Sequence, residues 1–573
     1  MSSLNESKSN GRTWWRSLDE VVATEAFQSK VQDEFPEGSS ELLATGDDRR
    51  HFLKIMGASM AFAGLGVAGC RRWPKENIVP YAHRPENTMP GIPEQYASCF
   101  DFGGFSQGVL VTSNDGRPTK IEGNPEHPDS RGKTDAFTQA AILDLYDPDR
   151  SRKVTYDGTD SSLSAFKEWI GAYLPQNGAG VAILTEPSSS PTFERMQRAF
   201  KKKNPEAMWV EYAPLMNSNQ RSGLDDAFGG NWMPVHDFSK ATVIVSLDDN
   251  FLGAGPLQVA NTRGWASGRK VNHGSISRVW IAEPGLSVTG ANADERSPMN
   301  PAAIAAIATY IAKEIAHVDM AIDGTVSLTA EHQTWADKLV ADLQKAGKHG
   351  LVLAGASQPA SVHYLVARIN EQLGAVGTTV SYRTIKSNQT HTIAELSKAM
   401  QNNTIQGVIV LGGNPAFDAP ADFKLADAIK SLPFSMHLSH NEDETSAVCK
   451  WHINAAHWLE SWTDGLAADG TVCVGQPLIQ PLFDGITAIE LLAILAGEEA
   501  TDGQTLVRTT LIGKSADSWN PNWRTAVHDG VIANSAMLEK PPANRNAQKG
   551  GSVVGGNGYT ACFVPSDSVW DGR

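Results

Sequence analysis

The residues best suited to redox chemistry in this sequence are its cysteines, and their spacing limits what they can do. There are five among 573 residues, Cys70, Cys99, Cys449, Cys473 and Cys562, and no two have the spacing of a C-x-x-C motif. An iron–sulfur cluster needs about four thiolates, usually in short runs, and a structural zinc site has similar needs. The sequence therefore predicts neither centre. Packed thiols are the favoured interpretation, and one disulfide stays open if the protein is exported.

A second group of residues with metal-binding chemistry lies between positions 437 and 457. Its histidines and carboxylates match no ligand spacing, and a metal site would need two or three of them to converge with supporting partners. The sequence favours a surface loop over a metal site here. The members are His437, His440, Glu442, Asp443, Glu444, His452 and His457.

Polar residues also follow several apolar runs that predict buried strands, each trailed by a turn and a helix. Such strands between helices indicate parallel sheets covered on both faces, where ligands bind at the carboxyl ends. The predicted strands are 180–185, 241–247, 278–283, 350–355 and 406–413. The polar strand ends are 248–250, 283–284, 355–358 and 412–415.

Other local patterns complete the predicted elements. Residues 108–112 and 118–122 form a hairpin around an Asp-Gly turn, and a helix follows over 136–145. The clearest helices are 302–315 and 362–373.

Missing motifs exclude several enzyme classes. No predicted strand is followed by G-x-G-x-x-G or a phosphate-cradling P-loop. G-x-S-x-G occurs once, at Gly104-Phe105-Ser106-Gln107-Gly108, where it precedes a predicted strand, whereas a nucleophile elbow follows one. A plain dinucleotide enzyme, an ATPase and a hydrolase with a nucleophile elbow are therefore disfavoured.

The formal net charge of −15 makes nucleic acid an unsuitable partner and favours a basic electron-transfer protein or another subunit. Hydrophobic content of 41% and charged content of 20% are typical of a globular protein.

The segment 48–70 has the pattern of an export signal. Arg49 and Arg50 precede fifteen uncharged residues, Ile55 to Gly69, and then Cys70. The apolar run is shorter than the about 20 residues of a spanning helix, and the paired arginines are typical of the twin-arginine route. The small residues before Cys70 fit a lipoprotein cleavage box, so we expect Cys70 to be acylated and to tether the protein to a membrane. A buried thiol is the alternative.

The sequence divides into four regions. Residues 1–47 form an extended N-terminal segment with short amphipathic helices, and 48–70 are the signal and lipobox. Residues 71–150 form a small β-rich region, and 151–573 form α/β domains.

Several motifs together resemble the molybdopterin oxidoreductases. They are Gly116-Arg117-Pro118 through Glu126-His127-Pro128, Leu145-Tyr146-Asp147-Pro148-Asp149-Arg150 and Val410-Leu411-Gly412-Gly413-Asn414-Pro415. The leader, with Trp14-Trp15-Arg16-Ser17-Leu18, narrows the likeness to the molybdopterin-oxidoreductase-like subunit of alternative complex III, a membrane quinol oxidase. The likeness extends over essentially the whole chain.

This resemblance implies an α/β, molybdopterin oxidoreductase-like fold with parallel-sheet domains and a β-rich N-terminal region. It implies a non-catalytic subunit that supports electron transfer from quinol to cytochromes, on the periplasmic face of the inner membrane. The implied partners are multi-heme and mono-heme cytochrome c subunits, integral membrane quinol-oxidising subunits and a ferredoxin-like iron–sulfur region. The segments Ser188-Ser189-Ser190-Pro191 and Ser357-Gln358-Pro359 are candidates to bind a pterin or phosphate at helix N-termini, although plain capping is favoured.

The departures from the family concern cofactors. Catalytic members use four cysteines for a [4Fe-4S] cluster before the strand at Val109, where this chain has Cys99 alone. We therefore expect no cofactor in this chain, neither molybdopterin nor iron–sulfur, and no catalytic, cofactor-binding or metal-binding residue. In the family that this chain resembles, the [4Fe-4S] and [3Fe-4S] clusters lie in a ferredoxin-like region further along the chain. The sequence to Arg573 shows neither that region nor the final β domain of the fold. We therefore expect a truncated or split version of the longer subunit. The alternative is an active molybdenum bis-pterin oxidoreductase for a small sulfur or oxyanion substrate.

Overall fold

The computed structural model describes residues 89, 91–270, 276–385, 391–513, 520–542, 551–553, 560–566 and 568–570. All of them belong to one unit, Asn87–Arg573. The predictions for the leader, including Arg49, Arg50 and Cys70, lie outside the described residues. Within the described residues, no helix combines the length and the apolar character that crossing a bilayer requires.

The strands pair into sheets of two to seven members. They are β1 (Glu94–Phe102), β2 (Phe105–Asn114), β3 (Arg117–Gly123), β4 (Thr155–Tyr156), β5 (Thr159–Asp160), β6 (Val181–Thr185), β7 (Met208–Glu211), β8 (Trp232–His236), β9 (Val243–Leu247), β10 (Arg278–Glu283), β11 (Glu295–Pro298), β12 (Ile322–Asp323), β13 (Gly350–Ala354), β14 (Val380–Thr384), β15 (Gly407–Leu411), β16 (Phe434–Ser439), β17 (Trp451–Asn454), β18 (Thr463–Leu466), β19 (Val472–Gly475) and β20 (Gly551–Ser552).

The helices lie mainly between the strands. They are α1 (Ala136–Ala140), α2 (Leu163–Tyr173), α3 (Pro191–Lys203), α4 (Ser218–Phe228), α5 (Gln258–Gly268), α6 (Val288–Ala291), α7 (Pro301–Ile311), α8 (Ala330–Ala346), α9 (Ala360–Gln372), α10 (Ile393–Gln401), α11 (Pro415–Asp418), α12 (Leu425–Ser431), α13 (Glu444–Val448), α14 (Ala488–Ala496), α15 (Gly503–Ile512) and α16 (Pro521–Asp529).

An antiparallel sheet of β1, β2 and β3 precedes the α/β part. The predicted hairpin is confirmed: Asn114 pairs with Arg117, and the two residues between them, Asp115 and Gly116, have φ of 50° and 81°. Positive φ at both central positions matches the right-handed twist of the flanking strands, which is why Asp-Gly favours this turn. The predicted helix over 136–145 is shorter than expected, because α1 ends at Ala140 and a 3-10 turn spans 144–146.

Two parallel sheets contain all five predicted strands. β11, β10, β9 and β13 form a four-stranded sheet in that order, with every pair parallel. The second sheet has the order β5-β4-β17-β16-β15-β6-β7, and only its edge strands β4 and β5 are antiparallel. In sequence, the four-stranded sheet is inserted between β7 and β15.

Both faces of the seven-stranded sheet are covered. Along β6, Ile183 packs in one apolar cluster with Phe166 of α2, whereas Ala182 and Leu184 pack in another with Leu396 of α10. Successive side chains of a strand point to opposite faces, so this alternation is the signature of a strand buried on both sides.

The four-stranded sheet has its own core, built with α7 and α9. The predicted helix over 302–315 is α7, which continues as a π-helical turn over 312–316, and the predicted helix over 362–373 is α9. Ile304 and Ile307 of α7 and Leu365 of α9 are fully buried in this core.

Candidate functional site

The carboxyl ends of both parallel sheets open into one cavity of about 2350 Å³. Its wall includes residues from all four polar strand ends that the sequence predicts, at 248–250, 283–284, 355–357 and 412–414. The expectation that these segments lie at the carboxyl ends of parallel strands is therefore confirmed. They come from two sheets, which the sequence did not separate.

On the four-stranded sheet, β9 is followed by adjacent carboxylates. Asp248 has a φ of 66° and accepts hydrogen bonds from Ser357 Oγ at 2.8 Å and Gln358 Nε2 at 3.1 Å. Asp249 also lines the cavity, and burial, followed by the charge of Asp248, raises its pKa to about 7. Gly355 lets β13 approach this turn, because a Cβ there would lie 1.9 Å from the carbonyl oxygen of Asp248.

Glu283 ends β10 as a nearly fully buried carboxylate with its own partners. Arg296 Nε donates to it at 2.5 Å and Ser287 Oγ at 2.5 Å. A Cβ at Gly290 would lie 1.8 Å from Glu283 Oε1, so α6 can lie against this carboxylate only with glycine there. These bonds compensate the buried charge and fix its position in the wall.

On the seven-stranded sheet, Asn414 organises the end of β15. Its Oδ1 accepts from the backbone N–H of Thr445 at 3.1 Å and from Thr445 Oγ1 at 2.7 Å, and its Nδ2 donates to Glu444 at 2.7 Å. The amide thereby joins the β15 end to the start of α13.

Three of the seven residues in the group between 437 and 457 are buried, namely His437, His452 and His457, so the expected surface loop is wrong for them. His440, Glu442 and Glu444 are exposed, as that expectation requires. One direction of proton donation satisfies a chain of four bonds. Ser151 donates to His452 Nε2 at 2.6 Å, and His452 Nδ1 donates to Ser446 Oγ at 2.9 Å. Ser446 donates to His437 Nδ1 at 2.8 Å, and His437 Nε2 donates to the Gly413 carbonyl at 3.0 Å. His437 lies in β16 and His452 in β17, and both are buried in the sheet. Their chain of hydrogen bonds connects the sheet to Gly413 at the edge of the cavity.

This histidine chain does not gather metal ligands. Among the described residues, no group of three or more His, Cys, Asp or Glu side chains is placed to hold a metal ion. Burial, followed by the charge of His437, lowers the pKa of His452 to about 4, which favours the neutral ring.

The predicted serine segments have different roles. Ser190 caps α3, accepting from the Phe193 backbone N–H at 2.9 Å, so the capping interpretation is confirmed there. Ser357 does not cap α9, whose N-cap is Pro359, and donates to Asp248 instead. The capping interpretation is therefore wrong at Ser357.

Among the described cysteines, Cys99 and Cys473 are buried together in one apolar cluster, and Cys449 is half-buried elsewhere. Cys99, Cys449, Cys473 and Cys562 are free cysteines. Burial raises the pKa of Cys99 to about 12, that of Cys449 to about 12, and that of Cys473 above its usual range. These three are packed thiols, as the sequence predicts, whereas Cys562 is exposed at the cavity.

Two cavity residues were missed by sequence reasoning. Trp570 packs against Phe102, with ring centroids 5.6 Å apart, and lies over Gly255, whose Cβ position would be 3.1 Å from the indole. Arg383, in β14, also lines the cavity although only 6% of it is exposed. The signal available for Arg383 was a charge inside an otherwise strand-like run.

The cavity wall is acidic overall. Among the described residues it contains eleven carboxylate side chains against three arginines, Arg150, Arg221 and Arg383. Arg150 is neutralised by Glu460 in a two-point ion pair. The available positive charge therefore lies at Arg221 and Arg383.

Comparison with solved structures identifies the architecture. The acetylene hydratase from Pelobacter acetylenicus superposes with a TM-score of 0.57 over 78% of this chain and 74% of that chain, at 11% identity. The chain has the α/β fold of that structure, with helices packed on parallel sheets. That expectation from the sequence is confirmed.

A comparison with curated proteins gives a named relative. Over 513 residues the chain is 24% identical to the "menaquinone reductase, molybdopterin-binding-like subunit" of Nitratidesulfovibrio vulgaris. The match covers 79% of this chain and 72% of that protein. No protein-family model matches the chain.

Proposed function

We propose that this protein is a non-catalytic, molybdopterin-oxidoreductase-like subunit of a quinone-linked oxidoreductase complex. The relative is named as a subunit of a menaquinone reductase, which supports the quinone link and a role within an assembly. The fold supports descent from an enzyme architecture, but the chemistry depends on the donors present at the site.

The observation that carries the non-catalytic role is the state of Cys99. Among the described cysteines it alone precedes β2 in sequence, where catalytic members would place a cluster, and it is 1% exposed with its pKa raised to about 12 by burial. Cys473 packs beside it as a second protonated thiol, because burial raises its pKa as well. A cluster ligand must be a thiolate, and two protonated thiols cannot replace four thiolates. The residues near Cys99 therefore do not fit an iron–sulfur cluster.

The cavity wall fits a pterin dinucleotide poorly. Its phosphates would enter a wall dominated by carboxylates, with only Arg221 and Arg383 as available cations. Like charges within such a cavity repel strongly because its walls screen less than water does. This supports a scaffold without molybdenum, with the clusters of the assembly carried elsewhere.

The finer proposal concerns the assembly and its place in the cell. We propose a complex of the alternative complex III type, in which this subunit docks multi-heme and mono-heme cytochromes c, quinol-oxidising membrane subunits and a ferredoxin-like region. Arg49 and Arg50 would direct export by the twin-arginine route, and an acylated Cys70 would hold the subunit at the periplasmic face of the inner membrane. Intact mass of the mature N-terminus, compared between wild type and Cys70→Ser, tests the lipid.

Metal analysis of the intact purified complex tests the non-catalytic role. We expect molybdenum and tungsten far below one atom per chain. One atom per chain would overturn the proposal and favour the alternative, an active molybdenum bis-pterin oxidoreductase for a small sulfur or oxyanion substrate.

A matched pair of variants tests Cys99 itself. In the complex, Cys99→Ala should leave the electron paramagnetic resonance signals of the iron–sulfur clusters unchanged, as should Cys449→Ala, a control at a free thiol that packs in a different apolar cluster. Loss of one signal in Cys99→Ala alone would show that Cys99 ligates a cluster.

The direction of electron flow separates two quinone-linked functions. Reduction of a cytochrome c by menaquinol through the complex would support quinol oxidation. Reduction of menaquinone by a reduced cytochrome would support the function named for the relative.

A further inference from the structure

Arg383 occupies an unusual position for a cation. It lies in β14 and pairs with Met233 of β8. Its side chain passes close to the backbone at Gly470, because a Cβ placed on that glycine would lie 3.1 Å from Arg383 Cδ. Only 6% of the residue is exposed, and it contributes to the wall of the cavity.

The guanidinium of Arg383 lacks an oxygen partner among the described residues. Its Nε–H is buried without an acceptor, and its Nη2 reaches only the Met233 sulfur, at 3.9 Å. Asp129 and Asp469 influence it through space, yet neither forms an ion pair with it. Asp129 instead accepts from the Ala468 backbone at 2.9 Å.

Arg150 is a buried arginine with a structural role, and a carboxylate compensates its charge. It is 4% exposed, and Glu460 receives two of its N–H groups at 3.0 and 2.8 Å. Burying a guanidinium without such a partner is costly. Within the described part of the chain, Arg383 therefore lacks the paired carboxylate that Arg150 has, and the cavity that it lines gives a ligand access to it.

Arg221 adds a second cation to the same cavity. It lies on α4, which packs against β8, and its side chain forms no hydrogen bond or ion pair within the described part of the chain. Trp232 and Met233 of β8 also line the wall, and such apolar neighbours leave the positive charge poorly screened.

We propose that Arg383 anchors a binding site for a small carboxylate. A guanidinium presents a planar fork that matches the two oxygens of a carboxylate. The acidic remainder of the wall disfavours larger polyanions, so the ligand carries a single planar anionic group. This site is independent of the proposed function, because it requires neither a pterin nor a quinone.

Equilibrium dialysis with radiolabelled acetate, at constant ionic strength set by sodium chloride, tests the site on the full-length protein. We expect saturable binding at one site per chain. Arg383→Met should weaken binding about tenfold or more, because the two-point contact is lost. Arg383→Lys should also weaken it, because an ammonium keeps the charge but lacks the fork.

The controls separate the site from general charge effects. Arg278→Met removes an exposed arginine of β10 that pairs with Asp342 away from the cavity wall, and it should bind acetate like the wild type. Circular dichroism establishes which variants are folded, and Arg383→Lys gives the decisive comparison if Arg383→Met is not.

Three results would overturn the proposal. They are no saturable acetate binding by the wild type, equal affinity in folded Arg383 variants, and preferential binding of inorganic phosphate over acetate in a parallel titration.

Discussion

Arg150 and Glu460, 310 positions apart in sequence, form a buried two-point ion pair with N–O distances of 3.0 and 2.8 Å. Glu460 also accepts from the backbone N–H groups of His457 and Leu482, at 2.9 and 3.1 Å. Burial alone would raise the pKa of Glu460, but the bonds from Arg150 and these N–H groups lower it. The pair therefore joins the segment before the first α/β strands to the segment after β17.

Arg150→Met should destabilise the fold by about 3–5 kcal/mol, because it leaves the Glu460 charge buried without its partner. The free energy of unfolding, measured with urea, checks this. Arg278→Met is the matched control, since Arg278 pairs with Asp342 while 53% of its side chain is exposed. That exposed pair should contribute about 1 kcal/mol or less. Equal losses in the two variants would contradict a special role for the buried pair.

The strands of this fold were predictable because burial on both faces makes them continuous apolar runs. Val279 to Ala282 in β10 and Val408 to Leu411 in β15 are such runs, and both are central strands. Their distribution over two sheets was not predictable, since the sequence of an apolar strand does not specify which strand it pairs with. The four polar strand ends were predictable as site residues because parallel strands share one carboxyl edge.

Other features of the site depend on tertiary contacts that spacing does not encode. His437 and His452 were expected in a surface loop because their spacing matches no ligand signature, yet each satisfies both ring nitrogens inside the protein. Trp570 meets Phe102 across more than four hundred residues. No local pattern could predict either arrangement.

Gly355 should be intolerant of any side chain. Gly355→Ala would place a methyl group 1.9 Å from the Asp248 carbonyl oxygen, which is backbone and cannot move aside cheaply. We expect a loss of about 1–3 kcal/mol, typical of overpacking, measured by urea unfolding. Gly285 lies on the same cavity with nothing within 4 Å of its Cβ position. Gly285→Ala should therefore change stability by about 0.5 kcal/mol or less, and a similar loss in both variants would refute the steric explanation.

Asp464 should make the protein less stable as pH rises from about 4 to about 6. Burial raises its pKa to about 6, although hydrogen bonds from Ser190 and Thr192 oppose the rise. The folded protein then holds a proton that the unfolded chain releases near its ordinary pKa of about 3.9. Since the folded state binds more protons in this window, the free energy of unfolding falls as pH rises through it.

Asp464→Asn should remove this component, so the difference in unfolding free energy between wild type and variant should depend on pH between about 4 and 6. Ser190→Ala gives an intermediate case. Losing one hydrogen-bond donor to the carboxylate should raise the pKa of Asp464 further, so the decrease in unfolding free energy should extend to higher pH. A difference between wild type and Asp464→Asn that is constant over this range would rule out titration of Asp464 there.

Among the four described cysteines, Cys562 should react first with a maleimide in the folded protein. The thiolate is the reactive form, and burial raises the pKa of both Cys99 and Cys449 to about 12, while Cys473 is fully buried. Peptide mapping by mass spectrometry after brief labelling identifies the modified positions. In Cys562→Ser, no described cysteine should be labelled until urea unfolds the chain. Early labelling of Cys99 or Cys473 would show that the sheet of β1, β2 and β3 opens locally, and would contradict their placement as inert packed thiols.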